Sequence, residues 1–425
     1  MTNPNKNNKI FISIASYRDK QLVPTVLDCI NKAKNPNNLI FGINWQKDDS
    51  ENISELNKYK NQLRIEESDW RESKGACWAR HAIQHNLYDD EPYYLQLDSH
   101  HRFLENWDTH LFELLDIAQQ TSPKSIIGTY GTTFWPEKNE PLKNEPYRIN
   151  TFESFGIDGD IISRPVYIKN HKELLKNNQK LIKARLLSGH FIFSEGSFVR
   201  ECMYDPNFYF RGEEIALSAR AYTHGYDFFH PTYTIVWHEY LREKSNKHWL
   251  DHVKDNGFIE EGEMRNQKSK KRQRKLFGID ECDIDFKQYG FGKVRSLHDY
   301  ELYAGLDFKN KKVHKTAHDI RDEYIEPKTL SEAEWQSGML HEYKFDIEWP
   351  LDKVPNKTDY TFWFFGFESK DNKLLYRKDL KEPQYMNKSV NKIQTTIYSE
   401  QKPDRCVIIP FSQKDGWMQR IHIDL

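Results

Sequence analysis

Short apolar runs separated by polar, helix-prone stretches dominate the first three hundred residues. The first is Ile10-Phe11-Ile12-Ser13-Ile14-Ala15, followed by Leu39 to Trp45, the alternating Leu63-Arg64-Ile65-Glu66, and then Tyr93 to Leu97 and Ile126 to Tyr130. Short apolar runs bounded by turn-forming residues read as buried strands. Between them, residues 22–33 and the stretch opened by Gly75-Ala76-Cys77-Trp78-Ala79-Arg80 read as helices. Trp107, Leu111, Leu114, Leu115 and Ala118 recur at helical spacing, so residues 106–120 are expected to cover a sheet. Strands alternating with helices predict an α/β fold with a mostly parallel sheet of βαβ units. In such sheets ligands bind beyond the carboxyl ends of the strands. That rule collects Ser16-Tyr17-Arg18, Trp45-Gln46 and Asp98-Ser99-His100 on one rim.

Three later stretches break this rhythm. Residues 135–180 are irregular, charged and Pro-containing, which suggests an active-site loop region or lid. From Glu243 to Lys275 the chain is extremely charged, and acids around Glu260 balance the bases. That stretch reads as a solvated helix or linker. In the tail, "EYKFDIEW", "DYTFWFFGFES", "KLLYRKDL", "IQTTIYSE", "RCVIIPFS" and "MQRIHIDL" alternate apolar and polar positions, the pattern of an antiparallel sandwich or small barrel. The division expected is a catalytic domain over 1–310, with a charged helical or linker segment at 243–290, and a β-sandwich-like accessory domain over 311–425.

Composition narrows the function classes. At 425 residues the chain exceeds one typical core, consistent with two domains or three. Lys+Arg 62 against Asp+Glu 64 leaves no basic excess, so no nucleic-acid partner is expected. No 18 consecutive residues are apolar, so no membrane span is expected. The five scattered cysteines form no CxxC pair, which argues against a zinc ribbon or disulfide framework and for a reducing cytoplasm. An aromatic fraction of 14% suits cores and also stacking on sugars or bases.

The candidate chemistry begins at "YYLQLDSHHRF", where an apolar run ends on one acid and two imidazoles. Asp98 and His100 are alternate residues of an extended segment and share a face, whereas His101 points the other way. An oxygen plus an imidazole suits Mn²⁺ or Mg²⁺. A third ligand must come from elsewhere: His238 ends "TIVWHEY" in the same way, with His101, His190, His224 and His230 as competitors. His230, beside Pro231, reads as a turn residue. Glu213 and Glu214 follow Gly212 at a helix start, where they either complement the helix dipole or bind hydroxyls of donor or acceptor. Gly189-His190 would let a ligand approach the backbone, and Lys74-Gly75 with Arg80 would suit diphosphate or uridine contacts.

"FISIASYRD", "GINWQ", "KGACWAR", "LQLDSHHRF", "SGHFIFSEGSFV", "YFRGEEIALSARAYTHGYDFFHP" and "VWHEY" together resemble the cytoplasmic polypeptide α-N-acetylglucosaminyltransferases. That family modifies hydroxyproline on a ubiquitin-ligase subunit, and the likeness spans roughly residues 9–310. It is more distantly similar to the mucin-type GalNAc transferases, which share an Asp-x-His motif, an acidic helix start and a later metal-binding His. The resemblance implies a GT-A fold, a UDP-sugar donor (UDP-GlcNAc), Mn²⁺ or Mg²⁺, retention at the anomeric carbon and a protein or glycan hydroxyl acceptor. By position it implies Asp98, His100 and His238 at the metal, and Ser16, Tyr17, Arg18 and Trp45 at the nucleotide. It further implies Arg80 near the diphosphate and Glu213 and Glu214 against sugar or acceptor. His190 stands where the mucin-type pattern has Gly, which alters the sugar pocket. The rival readings are a sugar-nucleotide hydrolase or nucleotidyl transferase, and a carbohydrate-binding protein with a degenerate catalytic domain.

Overall fold

A computed structural model describes residues 8–138, 148–156, 160–168, 171–240, 242, 245–318, 323–355, 359–382, 385 and 389–425. The chain divides into two compact units, Met1–Ala304 with Tyr324–Thr329, and Gly305–Glu323 with Leu330–Leu425.

The first unit is built on an eight-stranded sheet. Its early strands are β1 (Ile10–Tyr17), β2 (Leu39–Lys47), β3 (Leu63–Asp69) and β4 (Tyr93–Asp98). After a short β5 (His101–Phe103) come β6 (Ser125–Gly128), β7 (Thr132–Thr133), β8 (Arg148–Phe155) and β9 (Ile161–Ile168). The unit continues with β10 (Leu181–Lys183), β11 (Phe191–Glu195), β12 (Asp227–Pro231) and β13 (Val236–His238). The sheet order is β10-β12-β6-β11-β4-β1-β2-β3. β1 to β4 pair in parallel, β11 runs antiparallel to both β4 and β6, and β10 runs antiparallel to β12. The expected mixed α/β architecture with a parallel-rich sheet is therefore present.

Alternation along the strands sets the core. Ile10, Ile12 and Ile14 of β1, with Phe41 and Ile43 of β2 and Leu95 and Leu97 of β4, enter one buried cluster. Trp107, Leu111, Leu114, Leu115 and Ala118 on the helix Trp107–Gln119 complete it, as their spacing requires.

Two stretches depart from their sequence reading. Within residues 135–180, β8 and β9 pair as an antiparallel hairpin rather than an irregular loop; 139–147, 157–159 and 169–170 lie outside the described residues. The charged stretch is no free linker either: its helix Gly262–Leu276 buries Asn266, Ser269, Lys270 and Gln273. Ser269 Oγ accepts from the backbone N–H of Tyr209 at 2.7 Å, and Arg272 pairs with Asp205 at 2.6 Å. The helix is anchored by polar contacts, which hydropathy does not register.

The second unit is antiparallel. His341–Glu348 pairs with Lys392–Ser399, while Tyr360–Glu368 lies between Leu374–Leu380 and Arg405–Ser412. Inward positions Trp349, Trp363, Phe365, Phe367 and Ile408 form its core, as the tail's alternation anticipates. Among the described residues no helix is long and apolar enough to cross a membrane.

Candidate functional site

Two strand pairings bring the site together. β4 is apolar and buried from Tyr93 to Leu97 and lies between β1 and β11, so its polar end emerges where Ala15 pairs with Asp98. The chain turns at Ser99-His100 and re-pairs as β5 with β13, setting His101 opposite His238. Asp98, His100 and His238 thereby converge, with one ligand atom from each lying within 4.8 Å of the others. His238 Nε2 stands 3.3 Å, and His100 Nε2 3.7 Å, from Asp98 Oδ2.

The donor chemistry fits a divalent cation. Burial pushes the Asp19 carboxyl up, but its bond with His100 and the charge of Arg242 outweigh this and hold it down to about 2; it accepts from His100 Nδ1 at 2.8 Å. The Nε2 lone pair of His100 is thereby left facing Asp98. Burial holds the His238 imidazole well below its usual pKa, so it is neutral. Burial pushes the Asp98 carboxyl up, but the bond with His238 and the charge of Arg80 outweigh it and hold Asp98 well below the usual range. One carboxylate and two imidazoles make a mixed oxygen–nitrogen donor set, which fits a divalent first-row cation such as Mn²⁺ and fits the harder Mg²⁺ less closely.

Arg80 joins this cluster to a second one. Its guanidinium is buried and donates to Asp98 Oδ1 at 3.0 Å and to Glu213 Oε1 at 2.8 Å. Glu213 and Glu214 open the helix Glu213–Thr223, with Gly212 preceding them at φ 83°. That left-handed backbone favours glycine, and a side chain there would also have to displace the end of the Gln273 side chain. Glu214 accepts from the backbone N–H of Gly189 at 2.7 Å. Burial and the neighbouring Glu213 push it up to about 7.

Two cavities flank these groups. One, of about 240 Å³, is lined by Tyr17, Gln46, Arg80, Asp98, His100 and His238. Its other wall comes from Phe210 and from Arg242, Lys247, His248 and Trp249. Phe210 and Trp249 stack at 4.8 Å with planes 12° apart. The other cavity, of about 360 Å³, is lined by Glu213, Glu214, Arg211, Phe210, Leu186 and the β9 end at Asp160–Ser163.

Several sequence-expected residues stand elsewhere. Ser16 and Trp45 fall on the core face of β1 and β2, in phase with Ile14 and Ile43, while Tyr17 and Gln46 face the cavity. Arg18, at φ 46°, is engaged by Asp48 and Asp251 and lies over the Trp70 ring. His190 sits behind the cluster, its ring 4.6 Å from that of His238, with Nε2 accepting from Gly131 N–H at 3.3 Å. Burial brings it down to about 4. His101 is fully buried and its ring stacks on His190, with Nδ1 3.1 Å from the Asp98 carbonyl. His230 is a buried strand residue of β12 rather than part of a turn, with Nε2 accepting from Tyr130 N–H at 2.9 Å. Asp19, Arg242, Lys247 and Trp249 were not foreseen. Trp249 and His248, two large rings in a charged run, were the available signal.

No curated protein sequence matches the chain. Among solved structures, S. aureus TarS 1–349 is similar at 12% identity and TM-score 0.35, covering 61% of this chain and 69% of that one. TarS 1–349 in complex with UDP is similar at the same identity and score, covering 64% and 72%. These likenesses are too loose to carry a conclusion. The profile of the family described as Glycosyltransferase (GlcNAc), by contrast, matches residues 9–61 and 54–310, most of the chain, and the protein belongs to that family.

Proposed function

We propose that the protein is a metal-dependent glycosyltransferase that moves a sugar, GlcNAc by the resemblance, from a UDP-sugar to a hydroxyl acceptor. The observation that carries this reading is the cavity at which Asp98, His100 and His238 meet Arg80, Arg242 and Lys247. A carboxylate–imidazole cluster beside cationic side chains suits a sugar diphosphate. When bound at Asp98, His100 and His238, Mn²⁺ or Mg²⁺ supplies a Lewis acid that offsets charge on the leaving diphosphate.

The chain's own groups do the rest. Tyr17 and Gln46, at the ends of β1 and β2, offer polar edges to the nucleoside. Arg242 and Lys247 add positive charge to the opposite wall. Arg80, fixed between Asp98 and Glu213, holds the two acidic clusters in register. The acceptor hydroxyl is placed in the second cavity, where Glu214 is poised to take its hydrogen bond and, when ionised, its proton. Retention and a hydroxyproline acceptor are what the resemblance implies.

The test is turnover of UDP-GlcNAc with and without Mn²⁺ against panels of peptide and glycan acceptors, followed by mass. A GlcNAc-bearing acceptor supports transfer. UDP and free sugar alone support the hydrolase reading. Mn²⁺-dependent thermal stabilisation by UDP-GlcNAc without any product supports the binding-protein reading.

A further inference from the structure

The turn that leaves β1 holds the cavity's second wall at both ends. Arg18 donates from Nε to Asp48 at 2.9 Å and from Nη1 to Asp251 at 2.9 Å, and the Tyr17 hydroxyl donates to the same Asp251 carboxylate at 3.2 Å. The next residue, Asp19, reaches Arg242 at 3.1 Å. Arg242 and Asp251 bracket Asn246, Lys247, His248 and Trp249, the residues of that wall that line the cavity. Two consecutive residues of opposite charge thus clasp the two ends of one segment.

Asp19 does more than hold its end. It is 3% exposed, and its Oδ1 accepts from the backbone N–H of Gln21 at 2.9 Å. Its Oδ2 accepts from Ser99 Oγ at 2.6 Å, His100 Nδ1 at 2.8 Å and Arg242 Nη2 at 3.1 Å. One oxygen atom is therefore shared by a side chain of the metal cluster and a side chain of the cavity wall. Resting on the metal reading above, we propose that Asp19 is a positioning residue that links the two, orienting His100 toward the cation and seating Arg242 over the donor cavity.

The arrangement demands a carboxylate. Four donors converge on two oxygens, and an amide has only one acceptor atom. In Asp19→Asn, one orientation opposes its NH₂ to the His100 and Arg242 donors, and the flipped orientation opposes it to Gln21 N–H. Partners that orient a metal-ligating histidine typically change metal affinity by about 10–100-fold when removed.

The experiment is calorimetric titration of Mn²⁺ into nucleotide-free full-length protein, then of UDP at saturating Mn²⁺, for wild type, Asp19→Asn and Arg242→Gln. Asp19→Asn is expected to weaken Mn²⁺ binding by about 10–100-fold and UDP binding with it. Arg242→Gln, which leaves the Asp19–His100 contact in place, is expected to weaken UDP while Mn²⁺ stays within about threefold. A purely structural Asp19 would lower the melting temperature and leave the Mn²⁺ affinity of the folded protein unchanged, which overturns the proposal.

Should Asp19→Asn not fold, ¹⁵N-histidine spectra of the wild type decide, with His100 assigned by loss of its signals in His100→Gln. A proton on Nδ1 and an Nε2 resonance that moves on adding Mg²⁺ support the proposal; the opposite tautomer overturns it. Wild-type protein that binds neither ion overturns the metal reading as well. Wild-type binding with an unaltered Asp19→Asn overturns only the link.

Discussion

Asp98 and Glu214 lie on either side of Arg80, and their surroundings drive them in opposite directions. Against the push of burial, the bond with His238 and the guanidinium charge keep Asp98 ionised far below neutrality. Glu214 shares the burial and has the acidic Glu213 beside it, with one backbone N–H as its direct compensation, and so rises to about 7. Carboxylates whose pKa values are pushed apart in one site take different tasks. The first is a permanent anion suited to a cation. The second can accept a proton at neutral pH.

The comparison breaks most sharply at Asp98. Asp98→Asn removes the only carboxylate of the cluster and is expected to lower kcat by about a thousandfold, the several kcal/mol that a bound Lewis acid supplies. Initial rates at saturating Mn²⁺ and donor measure it. A variant retaining a tenth of the wild-type rate would remove Asp98 from the mechanism and leave Glu214 as the principal acid.

Arg80→Met tests whether the two sides depend on one partner. It leaves Glu213, buried with Arg80 as its ion-pair partner, without that charge, and also frees Asp98. Breaking a buried pair by removing one partner costs about 3–5 kcal/mol, read as a lowered denaturant midpoint at pH 7.5. Acidification should recover part of the loss, since protonating Glu213 removes the unpaired charge. A midpoint that does not move with pH would mean that Glu213 finds another partner.

The uneven legibility of this site has a physical cause. Asp98, His100 and His238 were readable because each follows a short apolar run, and strand geometry alone carries a residue at such an exit to the rim. The same alternation separates Tyr17 from Ser16 and Gln46 from Trp45, a distinction that is lost when strand ends are read as blocks. Asp19 is one residue past the motif, yet its partners Ser99, His100 and Arg242 lie 80 or more positions away, and local pattern holds no trace of them. The wall was hidden in a charged run because its anchors are ion pairs and polar bonds, which hydropathy scores as solvent exposure. The second unit was easier: a period-two pattern repeats through its strands and needs no distant partner to be recognised.

Glu214→Gln separates the two acids by pH. The folded-state pKa lies above the ordinary glutamate value of 4.5, so between about 4.5 and 7 the folded chain holds the extra proton and stability rises as pH falls. The contribution, discounted for partial exposure, is about 1–2 kcal/mol. Glutamine should flatten that slope in pH-dependent melting. In the rate, the ionised base is the active form, so kcat/KM should rise through about pH 7 in the wild type. In the variant it should be about a hundredfold lower, without that limb. A limb that survives in Glu214→Gln would place the titrating group elsewhere.

The smallest effect concerns the aromatic pair between the cavities. Phe210 lines both, whereas Trp249 lines only the first and is 37% exposed. Truncating Trp249 removes one face of the stack without touching either acid. If Trp249 packs against the donor equally in ground and transition states, Trp249→Ala raises donor KM about three- to fivefold with kcat unchanged, the 0.5–1 kcal/mol scale of one aromatic contact. Michaelis curves in donor at saturating acceptor read this directly. A fall in kcat at constant KM would mean that the ring acts only as the reaction proceeds, which moves the pair from the Asp98 side of the comparison to the Glu214 side.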